Sequence, residues 1–236
     1  PKVSPMRFNV GNGSNATSIL SDENGQVSIP VQSGTHIFRA NLENSSYFSV
    51  TPTQVSVNFP TVTSPFTQNF CLTANGSHPD LEISMLPIGV ARPGFDAHYK
   101  LICRNKGTNT QSGTILLAFN DAILDFVGAT PALNQQSANN LSWNFTNLRP
   151  FQTIEIALTL NVNSPVETPA VNGGDTLYYQ ASIIGSSEDS TVEDNFFGFP
   201  QIVVNSFDPN DKTCLEGTAV SPELSGKYVH YQIRFE

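Results

Sequence analysis

Between Ile154 and Val162 every second residue is aliphatic: Ile154, Ile156, Leu158, Leu160 and Val162 fall on one side, with Glu155, Thr159 and Asn161 on the other. A period of two sends successive side chains to opposite faces of an extended chain, so this stretch is a β-strand with one buried face. The same period recurs along the chain, and no segment carries a helical period of useful length. The fold class that follows is all-β, built as tandem antiparallel β-sandwiches.

Taken in order, Met6, Phe8 and Val10 alternate before the break at Gly11-Asn12-Gly13. Asp22-Glu23-Asn24-Gly25 is a hairpin turn, because Asn-Gly readily adopts the positive φ values a tight turn requires. Three alternating runs follow: Val27, Ile29 and Val31; Phe38, Ala40 and Leu42; Val55, Val57 and Phe59. Phe70-Cys71-Leu72 closes the first sandwich, predicted over residues 1–76. Thr73 to Pro79 reads as a short polar linker, because Gly76 and Pro79 continue a strand poorly. Such a short link predicts two sandwiches set end to end.

The second sandwich is predicted over residues 77–205. Its alternating sets are Leu81, Ile83 and Met85; Tyr99, Leu101 and Cys103; Ile115, Leu117 and Phe119; Leu141, Trp143 and Phe145; the run from Ile154; Leu177, Tyr179, Ala181 and Ile183; and Ile202 with Val204. That is seven or eight strands, with turns at Asn105-Lys106-Gly107-Thr108 and Leu148-Arg149-Pro150. Trp143 reads as a core anchor.

Residues 206–236 open with Ser206-Phe207-Asp208-Pro209-Asn210-Asp211-Lys212, a run of turn formers. Gly226 then precedes His230-Tyr231-Gln232-Ile233 at the spacing that separates Gly94 from His98-Tyr99-Lys100-Leu101. This echo reads as the start of a third module repeating the second. A chain that begins at Pro1 and stops within a strand is expected to be a piece of something longer.

Composition narrows the function classes. Charged residues make up 13%, about half the usual share. Net charge is −9, so a phosphate backbone is repelled and a nucleic-acid partner is not expected. Lys and Arg never cluster, and no apolar run approaches the ~18 residues of a membrane helix, so no membrane insertion is expected. Of the three cysteines, Cys103 is in phase with a core face, whereas the pairing of Cys71 and Cys214 stays open. There is no C-x-x-C motif, and the four histidines lack metal-ligand spacing. His98 and His230 fall opposite an apolar face and read as exposed strand residues. No nucleophile elbow, P-loop or dinucleotide fingerprint is present, so the chain is expected to be no enzyme and to need no cofactor.

Two carboxylate groupings offer hard-cation chemistry. Asp208, Asn210 and Asp211 place three side-chain oxygen donors within four residues, and Glu193 with Asp194 could join them if their loop folds to the same end. Together these five are the Ca²⁺ candidates. The competing reading is a turn whose Asp208 accepts its own backbone N–H groups. Glu188, Asp189, Glu193 and Asp194 form a further acidic group, for which solvated charge is the alternative.

Several of these motifs resemble one family. Asp22 to Ile29, Gly34 to Phe38 and Tyr47 to Pro52 resemble a prealbumin-type, carboxypeptidase-regulatory-like module. Tyr99 to Gly107 and Trp143 to Val162 resemble stalk-type immunoglobulin-like repeats, and Asp208-Pro209-Asn210-Asp211-Lys212 resembles the inter-module junction of secreted, surface-associated Bacteroidota proteins. The resemblance implies an extracellular or cell-surface location, type IX secretion and a stalk role such as that of an adhesin; an accessory carbohydrate-binding module of a secreted hydrolase is the alternative. It further implies neighbouring modules, secretion machinery or surface glycans as partners, and O-glycosylation at Thr176 and Ser190 through Asp175-Thr176-Leu177 and Asp189-Ser190-Thr191.

Overall fold

A computed structural model describes residues 6–12, 16–186, 188–205, 211–215, 217, 226 and 228–234. The described residues are nearly all β, as the alternation requires; their one helical piece is a 3₁₀ turn at Val192–Asn195. The first strands are β1 (Arg7–Gly11), β2 (Ala16–Leu20), β3 (Gly34–Asn41), β4 (Phe48–Thr51), β5 (Val55–Phe59) and β6 (Cys71–Ala74). They form an antiparallel sheet in the order β2-β1-β3-β5 and a separate β4-β6 pair. Met6, Val10, His36, Tyr47, Phe48 and Val57 are buried here, and Phe8 meets Phe70 edge to face.

Val27, Ile29 and Val31 are each half-buried, so their alternation marks an inward face, but residues 26–32 join no ladder. The turn before them does form: Asp22 Oδ1 accepts the amides of Asn24 and Gln26, and Gly25 has φ 68°. Pro30 then removes a backbone donor. The expected hairpin strand is therefore an extended, unpaired segment. The expected linker also starts later, because Thr73 and Ala74 pair with Ser49 and Phe48, leaving residues 75–80 between ladders.

Nine strands follow: β7 (Leu81–Pro87), β8 (Asp96–Asn105), β9 (Gln111–Ala118), β10 (Leu124–Thr130), β11 (Gln135–Ser137), β12 (Asn140–Leu148), β13 (Thr153–Val162), β14 (Thr176–Gly185) and β15 (Phe196–Ile202). They make two antiparallel sheets, β10-β13-β8-β7 and β11-β12-β9-β14-β15. Their inward rows form one core, including Leu81, Tyr99, Leu101, Cys103, Leu117, Trp143, Leu158 and Ile183. Trp143 is buried, and its indole N–H donates to Pro131 O.

Between the two sheets, the buried Tyr99, Tyr179 and Gln201 partner one another. Tyr99 Oη donates to Gln201 Oε1 at 2.7 Å and lies 2.6 Å from Tyr179 Oη. Gln201 explains why β15 runs in the opposite phase to the one its sequence suggests. Gln201 and Val203 face inward, whereas Ile202 is 64% exposed.

Strands β16 (Asp211–Cys214) and β17 (Tyr231–Arg234) form a last antiparallel pair. Asp211 and Lys212 thus belong to a ladder rather than to the expected turn. The pair repeats the β7–β8 hairpin closely. Ile88 N–H donates to His98 O at 2.7 Å, and Leu215 N–H donates to His230 O at 2.9 Å. Gly94 and Gly226, each four residues before its histidine, have φ 77° and 82°.

Candidate functional site: the junction and its carboxylate cluster

The link between the first sheets and the nine-stranded sandwich is bonded on both sides. Asn75 N–H donates to Tyr47 O at 2.8 Å, and the Tyr47 and His78 rings stack with centroids 4.4 Å apart. His78 exchanges two bonds with Thr108: His78 N–H donates to Thr108 Oγ1, and Thr108 N–H donates to His78 O, both at 2.8 Å. The amides of Lys106 and Gly107 donate to Asp80 O at 2.9 and 3.1 Å. The β8–β9 turn can lie this close only because residue 107 is glycine; a Cβ there would sit 2.2 Å from His78 O. Asn105 braces the same turn from within the core, bonding Gly107 N, Asn109 O and Leu148 O. Two side-chain contacts cross beside the link. Phe48 packs on Phe151 with centroids 4.6 Å apart, and Arg104 pairs with Glu43 and, at 3.9 Å, with Glu82.

The carboxylate cluster sits at the same end. Asp80 follows the link directly, and the β14–β15 connection folds over it, bringing one ligand atom each of Asp80, Asp189 and Asp194 within 4.8 Å of one another. Asp189 is held by two backbone donors: Leu81 N–H to Oδ2 at 2.8 Å and Thr191 N–H to Oδ1 at 2.9 Å. Ser190 N–H donates to Pro79 O at 2.7 Å. Lys106 Nζ reaches Asp194 Oδ2 at 2.5 Å. Asp80 is 1% exposed, and its Oδ1 has no hydrogen-bond partner; the buried Oδ1 of Asp194 has none either. Burial pushes the Asp80 carboxyl up to about 6 against the opposing pull of Lys106, and Asp194 and Asp189 push the same way. Burial pulls the Lys106 ammonium down, but its bond to Asp194 and the fields of Asp80, Asp194 and Glu82 outweigh this and hold it above its ordinary value.

The residues singled out from sequence are thereby separated. Asp194 joins Asp80 and Asp189, while Glu188 and Glu193 are exposed. Seven residues of β15, roughly 23 Å at ~3.3 Å each, lie between Asp194 and the 206–212 stretch. Asp208 and Asn210 lie outside the described residues, and Asp211 sits on β16 opposite Arg234. Thr176 begins β14 opposite Ile202, and Ser190 is exposed beside the cluster. Asp80 escapes sequence reasoning because it is out of phase with Leu81, Ile83 and Met85; a distant loop buries it.

Three histidines hold structure: His36 Nε2 lies 2.8 Å from Gln32 O, His98 Nδ1 lies 3.0 Å from Thr159 Oγ1, and His78 stacks at the link. Cys71 is exposed and Cys103 buried.

No protein-family model and no curated protein matches the chain. Among solved structures it is similar to the CARDB domain of a Pyrococcus furiosus protein in complex with di-metal ions, at 14% identity and TM-score 0.39, covering 54% of this chain and 90% of that one. A bacterial hydrophobin aligns at 12% identity and TM-score 0.38, over 56% of this chain and 98% of that one. The full-length major pilin of Corynebacterium diphtheriae aligns at 9% identity and TM-score 0.31, over 84% of this chain and 60% of the pilin.

Proposed function

We propose that this chain is a non-catalytic spacer, a stalk segment of a secreted or surface protein in which consecutive β-sandwiches are held at a fixed angle. The observation that carries this reading is the bonded link. Residues 75–80 make hydrogen bonds to both sides, a ring pair and an ion pair cross beside them, and a glycine without room for a side chain closes the contact. A flexible tether would make none of these contacts. The repeated hairpin at β16–β17 supports a third module of the second kind. The motif at residues 206–212 resembles the inter-module junction of secreted Bacteroidota proteins, and that resemblance supports an extracellular stalk.

A carbohydrate-binding role would be favoured by a continuous aromatic platform. Tyr178 and Phe196 are exposed on the outer face of the β14–β15 sheet. Tyr178 lies opposite Pro200 and Phe196 opposite Ser182, which sets them about 13 Å apart along the strands with Gln180 and Gly198 between. They do not form one platform.

Small-angle scattering tests the spacer. A compact chain of this length has a radius of gyration of about 17–18 Å. The spacer requires a clearly larger value and an elongated distance distribution; a value at the compact limit overturns it.

A further inference from the structure

We propose that Asp80, Asp189 and Asp194 form a calcium site that ties the start of β7 to the β14–β15 connection. Proximity of acidic groups alone would not carry this. The second observation is that Asp80, almost wholly removed from solvent, points a carboxylate oxygen at no donor, and Asp194 contributes another buried oxygen in the same condition. Buried carboxylate oxygens are ordinarily satisfied by hydrogen bonds or by a cation. Lys106 meets part of that need through Asp194 Oδ2. Three carboxylates and one ammonium still leave two negative charges, the charge that one divalent ion neutralises.

The donor set fixes the class of ion. All three side chains offer oxygen, which suits a hard cation and not a thiophilic one. The two oxygens of Asp189 each accept one backbone N–H, and each retains a second lone pair. The ligand atoms lie within 4.8 Å of one another, the span of two oxygens on opposite sides of an ion at ~2.4 Å. Calcium accepts that spacing and completes its shell with water. Magnesium requires a tighter octahedron at ~2.0–2.1 Å. The site adds to the spacer reading without depending on it, because binding is read at the carboxylates and stiffness at the link.

The test is a calorimetric titration of Ca²⁺ into the chelator-stripped 236-residue protein, with backbone amide shifts followed in parallel. The expected result is one saturable site, with the largest shifts at Leu81, Thr191 and their neighbours. Asp80→Asn and Asp194→Asn should each weaken it at least tenfold, while the exposed Asp125→Asn should leave it unchanged. Asp80→Asn is neutral and of equal size; if either variant fails to fold, the other decides. Mg²⁺ should bind at least tenfold more weakly, and equal or tighter Mg²⁺ binding overturns the calcium assignment. No saturable binding up to about 10 mM, well above the ~10⁻⁴–10⁻³ M of extracellular calcium modules, or binding indifferent to the folded variants, overturns the site.

Discussion

Replacing Gly107 with alanine adds one methyl group at the tightest contact of the link. The new Cβ would lie 2.2 Å from His78 O, 2.5 Å from Asp80 N and 3.1 Å from Pro79 C. All three are backbone atoms, so no side chain can swing aside. Reaching ordinary contact requires the β8–β9 turn and the link to part by about 1 Å. The bonds that span this gap are Lys106 N and Gly107 N to Asp80 O, Thr108 N to His78 O and His78 N to Thr108 Oγ1, at 2.8 to 3.1 Å. Each contributes about 1 kcal/mol net, and a forced methyl in a packed site costs about 1–3 kcal/mol. Partial relaxation leaves an expected loss of about 3 kcal/mol, or roughly 9 °C in Tm for a chain of this size. Gly128→Ala is the control, because its Cβ would meet nothing within 4 Å; it should melt within about 2 °C of the parent. Paired thermal melts and amide exchange at Lys106, Gly107 and Thr108 read the result. A Gly107→Ala protein that melts with the control and keeps those amides protected would refute the close approach of turn and link.

Three further outcomes follow from the same packing. Tyr99→Phe removes the hydroxyl joining Tyr179 and Gln201 and should cost about 2 kcal/mol in chemical denaturation; a neutral effect would show that the buried network contributes nothing. Phe48→Ala should destabilise by about 3 kcal/mol through lost burial and the Phe151 contact, whereas Phe66→Ala, at an exposed site, should stay within about 0.5 kcal/mol. Burial pushes the Cys103 thiol from 9.0 up to about 12, and burial likewise pushes the Tyr99 hydroxyl from 10.0 up to about 12. The folded state therefore keeps protons that the unfolded chain releases. Between about pH 7, above the Asp80 titration, and pH 9 stability should be level, and it should fall as pH rises beyond that, first through Cys103 and then through Tyr99, by about 1.4 kcal/mol per pH unit for each titrating group. Cys103→Ala should move the onset up toward pH 10, and an unmoved onset would contradict this assignment.

How much of this was legible in the sequence depended on whether burial followed the strand period. At Ile156, Leu158, Leu160 and Val162 the apolar face is the buried face, and the same holds for Leu141, Trp143 and Phe145. The phase of β15 misled because its inward position 201 is polar, satisfied by Tyr99, while Ile202 is left outside. Residues 27–31 alternate correctly yet lack a partner strand, which a one-dimensional pattern cannot supply. The carboxylate cluster was half visible. Asp189 and Asp194 stand out as charges in a charge-poor chain, but Asp80 joins them only because the β14–β15 connection returns to the link, 109 positions away from Asp80 at Asp189 (189 − 80). The pinning of the link was hidden for the same reason, since its partners Thr108 and Tyr47 are remote in sequence.

The central claim is a fixed link between the first sheets and the nine-stranded sandwich. Residual dipolar couplings of backbone amides in one weakly aligned sample test it directly. The account predicts that couplings from β1, β3 and β5 and couplings from β8, β9, β13 and β14 fit a single alignment tensor. Two tensors of clearly different magnitude or orientation, fitted separately to the two groups and irreconcilable in one rigid frame, would contradict it.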